Sequence, residues 1–167
     1  NESHIEPIVH ICKPSTGKDV SSITGNKNYS IKQYKERFLD PLKLQIDNII
    51  DAKSSSTSPL IESMQSAIIE SFEANTNSGE KRLIIVSDMI QHTNLYSFYN
   101  EKPSYKNYNE ISIQSGKGML RLDGIAVEIF IVARSFPKGS RKDIVRFWSL
   151  FLKDKGAANG SAMEPLL

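Results

Sequence analysis

The chain has almost no cysteine, with one thiol, Cys12, in 167 residues. A single thiol cannot close an intramolecular disulfide, so a disulfide-stapled fold is excluded and stability must come from a hydrophobic core. Long apolar runs are also missing. Nothing approaches the ~20 apolar residues that cross a bilayer, and no basic-then-apolar segment resembles a signal peptide, so this segment is not expected to insert into a membrane. Charge of one sign is scarce as well: 21 Lys and Arg against 19 Asp and Glu leave a formal net charge of +2. Such a weak field does not gather nucleic acid, and no nucleic-acid partner is expected.

What is present suits a folded protein. Hydrophobic residues make up 39% and charged residues 24%, which excludes the apolar-poor, charge-rich profile of disorder. The length fits one domain over residues 1–167, since single cores commonly occupy ~100–200 residues. The chain starts at Asn1 rather than Met and soon enters the apolar run Ile5 to Cys12. It therefore reads as a domain whose natural start lies upstream.

His4 to Cys12 combines β-branched residues with a short apolar run and stops at Lys13-Pro14-Ser15-Thr16-Gly17, which predicts a strand followed by a loop. From Ile31, apolar residues recur every three or four positions through Tyr34, Phe38, Leu42, Ile46, Ile49 and Ile50, the pattern of a helix with one buried face. Asp40-Pro41 either kinks that helix or opens a second one. Leu60, Met64, Ile68 and Phe72 mark another amphipathic helix, with Ser58 as its N-cap. Arg82 to Asp88 is the strongest strand signal, a continuous apolar run that predicts a strand covered on both faces. Gly124 to Ala133 is a second long β run, and Ser140 to Lys155 carries Ile144, Trp148 and Phe151 on one helical face. Ala162 to Leu167, interrupted by Pro165, forms at most an edge strand.

Strands separated by helices predict an α/β fold: a three-layer, Rossmann-like, mostly parallel sheet with helices on both faces. Ligands bind such sheets at the carboxyl ends of the strands. Cys12, Asp88 and Arg134 each end a predicted strand, so they are expected on one rim.

Two features belong together there: the hydroxyl-rich loop Ser54 to Ser58 before Pro59-Leu60, and the strand ending in Ser87-Asp88. A hydroxyl, Pro-Leu, a helix, then a buried strand ending in hydroxyl-Asp resembles the second half of a von Willebrand factor type A domain. The resemblance runs from about Ile5 to Phe151. It implies a metal-ion-dependent adhesion site holding Mg²⁺ on the sheet rim, with Ser58, or Thr57 beside it, as the loop hydroxyl and Asp88 as the strand-end carboxylate. Oxygen ligands are what that hard ion prefers. The chain departs from the family in Ser-Pro-Leu for the commoner Thr-Pro-Leu and in Ser-Asp-Met for Thr-Asp-Gly. Nothing before Ile5 supplies the family's Asp-x-Ser-x-Ser, which lies on a central first strand. Because unpaired buried backbone groups cost about 1–3 kcal/mol each, a further N-terminal strand is expected beside Leu83 to Val86. Ile5-Glu6-Pro7, Cys12-Lys13-Pro14, Ser87-Asp88-Met89-Ile90-Gln91 and Phe147-Trp148 are similar to a group of uncharacterised bacterial proteins with this domain. That likeness implies no activity and leaves cytoplasm and periplasm both open, with a signal or membrane anchor upstream as one arrangement.

Each candidate also has a structural reading. Asp88 is a metal ligand or the N-cap of a helix starting at Met89. Ser58 is a ligand or a cap. His92 lies four residues after Asp88, a shared face if that turn is helical, but a solvated ring is its plainer reading. Cys12, His92 and Asp88 are the ingredients of a thiol hydrolase without its motifs. Ser87 and Arg134 complete the possible ligand rim. The segment Tyr96 to Tyr108, with Lys102 and Lys106 balanced by Glu101 and Glu110, reads as loop with a short helix, facing a protein partner rather than bases if it binds at all and merely polar by default, and Trp148 is expected in the core. The expected function is an interaction module that needs no catalysis. The alternatives are a metal-dependent hydrolase or nuclease of Rossmann-like architecture, or a purely structural domain.

Overall fold

The computed structural model describes residues 11–18, 20, 25–50, 56–73, 79–116, 120–135, 138–158 and 162–165. The chain divides into two compact units, one of Glu6–Ser55 and one of Asn1–Ile5 with Ser56–Leu167.

In the first unit, helix α1 (Lys27–Tyr34) starts at Asn26, whose side-chain oxygen accepts the Tyr29 N–H at 3.0 Å. This supplies one of the partners a helix start lacks. Helix α2 covers Asp40–Ile50, and the residues between, Lys35–Leu39, widen into a π-helical turn. Pro41 accounts for the widening, because it brings no N–H to the ladder and its ring crowds the carbonyl four residues back. The helix therefore neither breaks nor restarts at Asp40-Pro41. Its expected buried face is corrected in part: Ile31 and Ile46 are exposed, while Tyr34, Phe38 and Leu42 are half-buried and the first two stack on each other. Amphipathic spacing specifies a face but not what covers it. The expected strand His4 to Cys12, and any pairing of Ile8–Ile11 with another strand, falls mostly outside the described residues; Ile11 and Cys12 are irregular and Cys12 is exposed.

The second unit holds the sheet. Strands β1 (Lys81–Ser87), β2 (Ile125–Ile131) and β3 (Ala162–Pro165) lie in the order β1-β2-β3 and pair in parallel. Parallel neighbours need long crossovers. Helix α4 (Tyr105–Gln114) lies in the first and α5 (Arg141–Asp154) in the second. With α3 (Leu60–Ile68) ahead of β1, the described chain is mixed α/β with a parallel sheet. Among the described residues no helix is long and apolar enough to cross a membrane.

The register places Leu83 beside Val127 and Ile85 beside Ile129. These side chains face a core that also takes Ile61 and Met64 of α3 and Phe147, Trp148 and Phe151 of α5. Each such side chain contributes about 1.5–3 kcal/mol when fully buried. Ser140 caps α5 reciprocally: its hydroxyl accepts the Asp143 N–H, and the Asp143 carboxylate accepts the Ser140 N–H. The expectation for β1 is corrected here. Ile84 and Val86 are 54% and 63% exposed, so among the described residues the strand is covered on one face only. A continuous apolar run cannot by itself distinguish a strand covered on both faces from one awaiting a cover.

Candidate functional site

The site grows from the way β1 ends. The Ser87 hydroxyl accepts the Met89 N–H and Asp88 Oδ1 accepts the Ile90 N–H, both at 3.0 Å. These short-range bonds turn the chain sharply and favour no helix. Met89 takes φ +59°, a left-handed conformation that costs a non-glycine residue on the order of 1–3 kcal/mol. The surroundings hold it there. The Met89 side chain is buried, and its carbonyl accepts the Trp148 indole N–H at 2.9 Å.

Two residues on, Gln91 is 1% exposed and hydrogen-bonded at both atoms of its amide. Its Oε1 accepts the Ile61 N–H at 3.2 Å and its Nε2 donates to Glu62 at 3.0 Å. Helix α3 has Pro59 at its N-cap and no capping side chain of its own. Gln91 therefore supplies the cap across the fold, satisfying a donor that the helix start would otherwise leave unpaired.

His92 exchanges backbone hydrogen bonds with Ser58, at 2.8 and 2.9 Å, which brings Ser58 against the segment that follows β1. The His92 Nδ1 lies 2.7 Å from the Ser97 hydroxyl, and the ring meets Tyr99 edge-on. From the end of β2, Arg134 reaches back to Asp88 with its Nη1 2.7 Å from Oδ2. The bond to Asp88, with the field of Tyr99 beside it, raises the Arg134 pKa and keeps the guanidinium charged. The Arg134 side chain is 58% exposed and that of Asp88 18%.

The residues expected at the rim thus fall into two groups. Ser87 and Asp88 sit at the carboxyl end of β1, where Asp88 pairs with Arg134, while Ser58, next to Thr57, pairs with His92 four residues further along the chain. Cys12 belongs to the other unit and sits in exposed irregular chain rather than at a described strand end. Three local roles are corrected. Ser58 is not the cap of α3, because Gln91 satisfies that donor from outside. Asp88 opens no helix, and His92 lies in a bridge rather than a helical turn, because the Asp88 side chain competes for the backbone N–H groups.

The tyrosine segment is corrected as well. Tyr96 and Tyr108 are buried against Phe147, and the Tyr96 hydroxyl donates to the Ser104 carbonyl at the start of α4. Burial pushes both phenol pKa values up. Tyr99 stays exposed, at 37%. Gln91 and the Trp148 hydrogen bond are the features that sequence reasoning missed. The stretch Ser87-Asp88-Met89-Ile90-Gln91 contains the glutamine, but its helix partner is 30 residues away.

Beside the rim, an apolar groove of about 250 Å³ runs between α3 and β1, lined by Leu60, Met64, Leu83, Ile85, Val86 and Met89 among others. As for a metal, the donors suit a hard cation in kind, being a carboxylate and hydroxyls. Among the described residues, however, no three His, Cys, Asp or Glu side chains come close enough to hold an ion, and the Asp88 carboxylate already has Arg134. No family model matches the chain, nor does any curated protein or solved structure.

Proposed function

We propose that the chain is a binding module of von Willebrand factor type A-like architecture that takes a protein partner on the rim formed by Ser58, Asp88, His92, Tyr99 and Arg134. The observation that carries this reading is the loop after β1. A strained Met89 is held by a buried indole bond and a buried glutamine, and strain so firmly retained is typical of sites where pre-organisation matters.

The neighbourhood favours a protein as the ligand. A groove of about 250 Å³ falls below the ~300–1,000 Å³ of small-molecule pockets and suits one or two apolar side chains. Charged and aromatic groups beside an apolar groove reproduce the polar rim and apolar centre of protein interfaces.

In the same reading the sheet has three layers and a further strand lies along the outer edge of β1. The exposed Ile84 and Val86, and the edge position of β1 among the described strands, support this. Mg²⁺ is held by Asp88 with Ser58 or Thr57 as the hydroxyl donor, and assists binding without catalysis. Photo-crosslinking from position 99 tests the location of the interface. Metal-dependent hydrolysis of a phosphoester or peptide, abolished by Asp88→Asn, would instead establish a hydrolase.

A further inference from the structure

We infer that the cleft between the start of α4 and helix α5 binds a small organic oxyanion, a phosphate or carboxylate carried on an apolar body. The cleft holds none of the rim residues, so the site is additional to the proposed partner surface. It has a volume of about 500 Å³ and is lined by residues 101–107 and by Asp143, Arg146, Phe147 and Leu150 of α5. That size lies within the ~300–1,000 Å³ of small-molecule pockets.

Three cations and two carboxylates line the cleft, Lys102, Lys106 and Arg146 against Glu101 and Asp143, which leaves one net positive charge. Their bonds determine which of them are free for a ligand. Asp143 is taken on both oxygens: Oδ1 pairs with Lys102 at 3.0 Å, and Oδ2 accepts the Ser140 N–H and hydroxyl, both at 2.8 Å. Glu101 accepts the Asn107 amide at 3.3 Å. Lys106 and Arg146 make no ion pair or side-chain hydrogen bond among the described residues. The charges that balance along the sequence are therefore not balanced in space, and both uncommitted groups are positive.

Their chemistry selects an oxyanion. A guanidinium presents a planar fork that matches two oxygens of a carboxylate or phosphate, and an ammonium adds a point charge. The start of α4 favours the same sign. Ser104 caps only the Asn107 N–H, leaving those of Tyr105 and Lys106 without an acceptor among the described residues, where the helix carries partial positive charge. Tyr105, Phe147 and Leu150 form the apolar side of the lining, with the Tyr105 ring edge-on to Phe147. An apolar body is covered there while its anionic group meets Lys106 and Arg146.

The test is titration of the whole chain with phenyl phosphate, benzoate, inorganic phosphate and phenol, followed by amide NMR shifts. An aromatic anion should saturate the shifts of Lys106, Asn107 and Arg146, and the tighter of the two names the oxyanion. Inorganic phosphate, without the ring, and phenol, without the charge, should bind more weakly. Arg146→Gln and Lys106→Gln should each weaken binding roughly three- to tenfold. Lys142→Gln, which removes an exposed cation of α5 outside the cleft, should bind as wild type does. All three side chains are exposed, so the variants keep the fold. Shifts that never saturate would overturn the site, as would an equal loss in Lys142→Gln, which reports only diffuse attraction to positive charge. Inorganic phosphate binding as tightly as phenyl phosphate would overturn the role given to the apolar side.

Discussion

Replacing Gln91 by Leu removes one side chain that holds two parts of the fold. Gln91 is 1% exposed and Ile61, whose N–H it accepts, is 5% exposed. Leucine leaves that N–H buried without a partner, which costs about 1–3 kcal/mol. The released Glu62 adds little because it is only half-buried and can turn to water. The apolar leucine recovers part of the loss, leaving about 1–2.5 kcal/mol. For a protein of this size that lowers Tm by roughly 2–10 °C. Trp148 is the only tryptophan and lies in the same core, so its fluorescence follows the melting of this unit. Hydrogen exchange at the Ile61 amide adds a local readout, and protection there should fall more than in the middle of α3. A Gln91→Leu protein that melts with wild type and keeps Ile61 protected would refute the idea that this glutamine caps α3 and fixes the loop.

Two further substitutions probe the fold. The pairing with Lys102, aided by Ser140, holds the Asp143 carboxyl below its usual pKa. A lowered folded-state pKa gives stability that is present above the unfolded pKa of about 4 and is lost as pH falls through the folded value. Wild type should therefore exceed Asp143→Asn in stability at pH 7, and the gap should close as pH drops below about 4 in urea melts; a gap that persists in acid contradicts the assignment. On the sheet, Ile129→Ala at a 1% exposed position should cost about 2–5 kcal/mol. Ile84→Thr, at 54% exposure, should fall within about 1 kcal/mol of wild type. Comparable losses at both positions would show that the outer face is covered.

The parts of the fold legible in the sequence were those written as runs or local pairs. Leu83 to Val86 and Ile125 to Ile131 read as strands from composition alone. Ile144, Trp148 and Phe151 marked the inward face of α5 by their spacing, and all three are buried. Asp88 was placed at the rim because it directly ends an apolar run. Long-range relations were not legible. Nothing near Gln91 says that it caps a helix begun 30 residues earlier, and nothing near Trp148 says that its indole bonds Met89. Tyr96 and Tyr108 read as loop residues because their neighbours are polar and no period marks them, yet tertiary packing buries both. The one-sided burial of β1 escaped for the same reason, since an apolar run records hydrophobicity but not which face is covered.

The most direct measurement of binding at the Asp88 rim is site-specific photo-crosslinking in the native cell. A benzophenone side chain is placed at Tyr99, next to His92 on the rim, or at Ile113, 67% exposed on α4. Rim recognition predicts one discrete protein adduct from position 99, lost on adding Asp88→Asn or Arg134→Ala, and none from position 113. An adduct from position 113 alone, or one from position 99 that survives both substitutions, would contradict it.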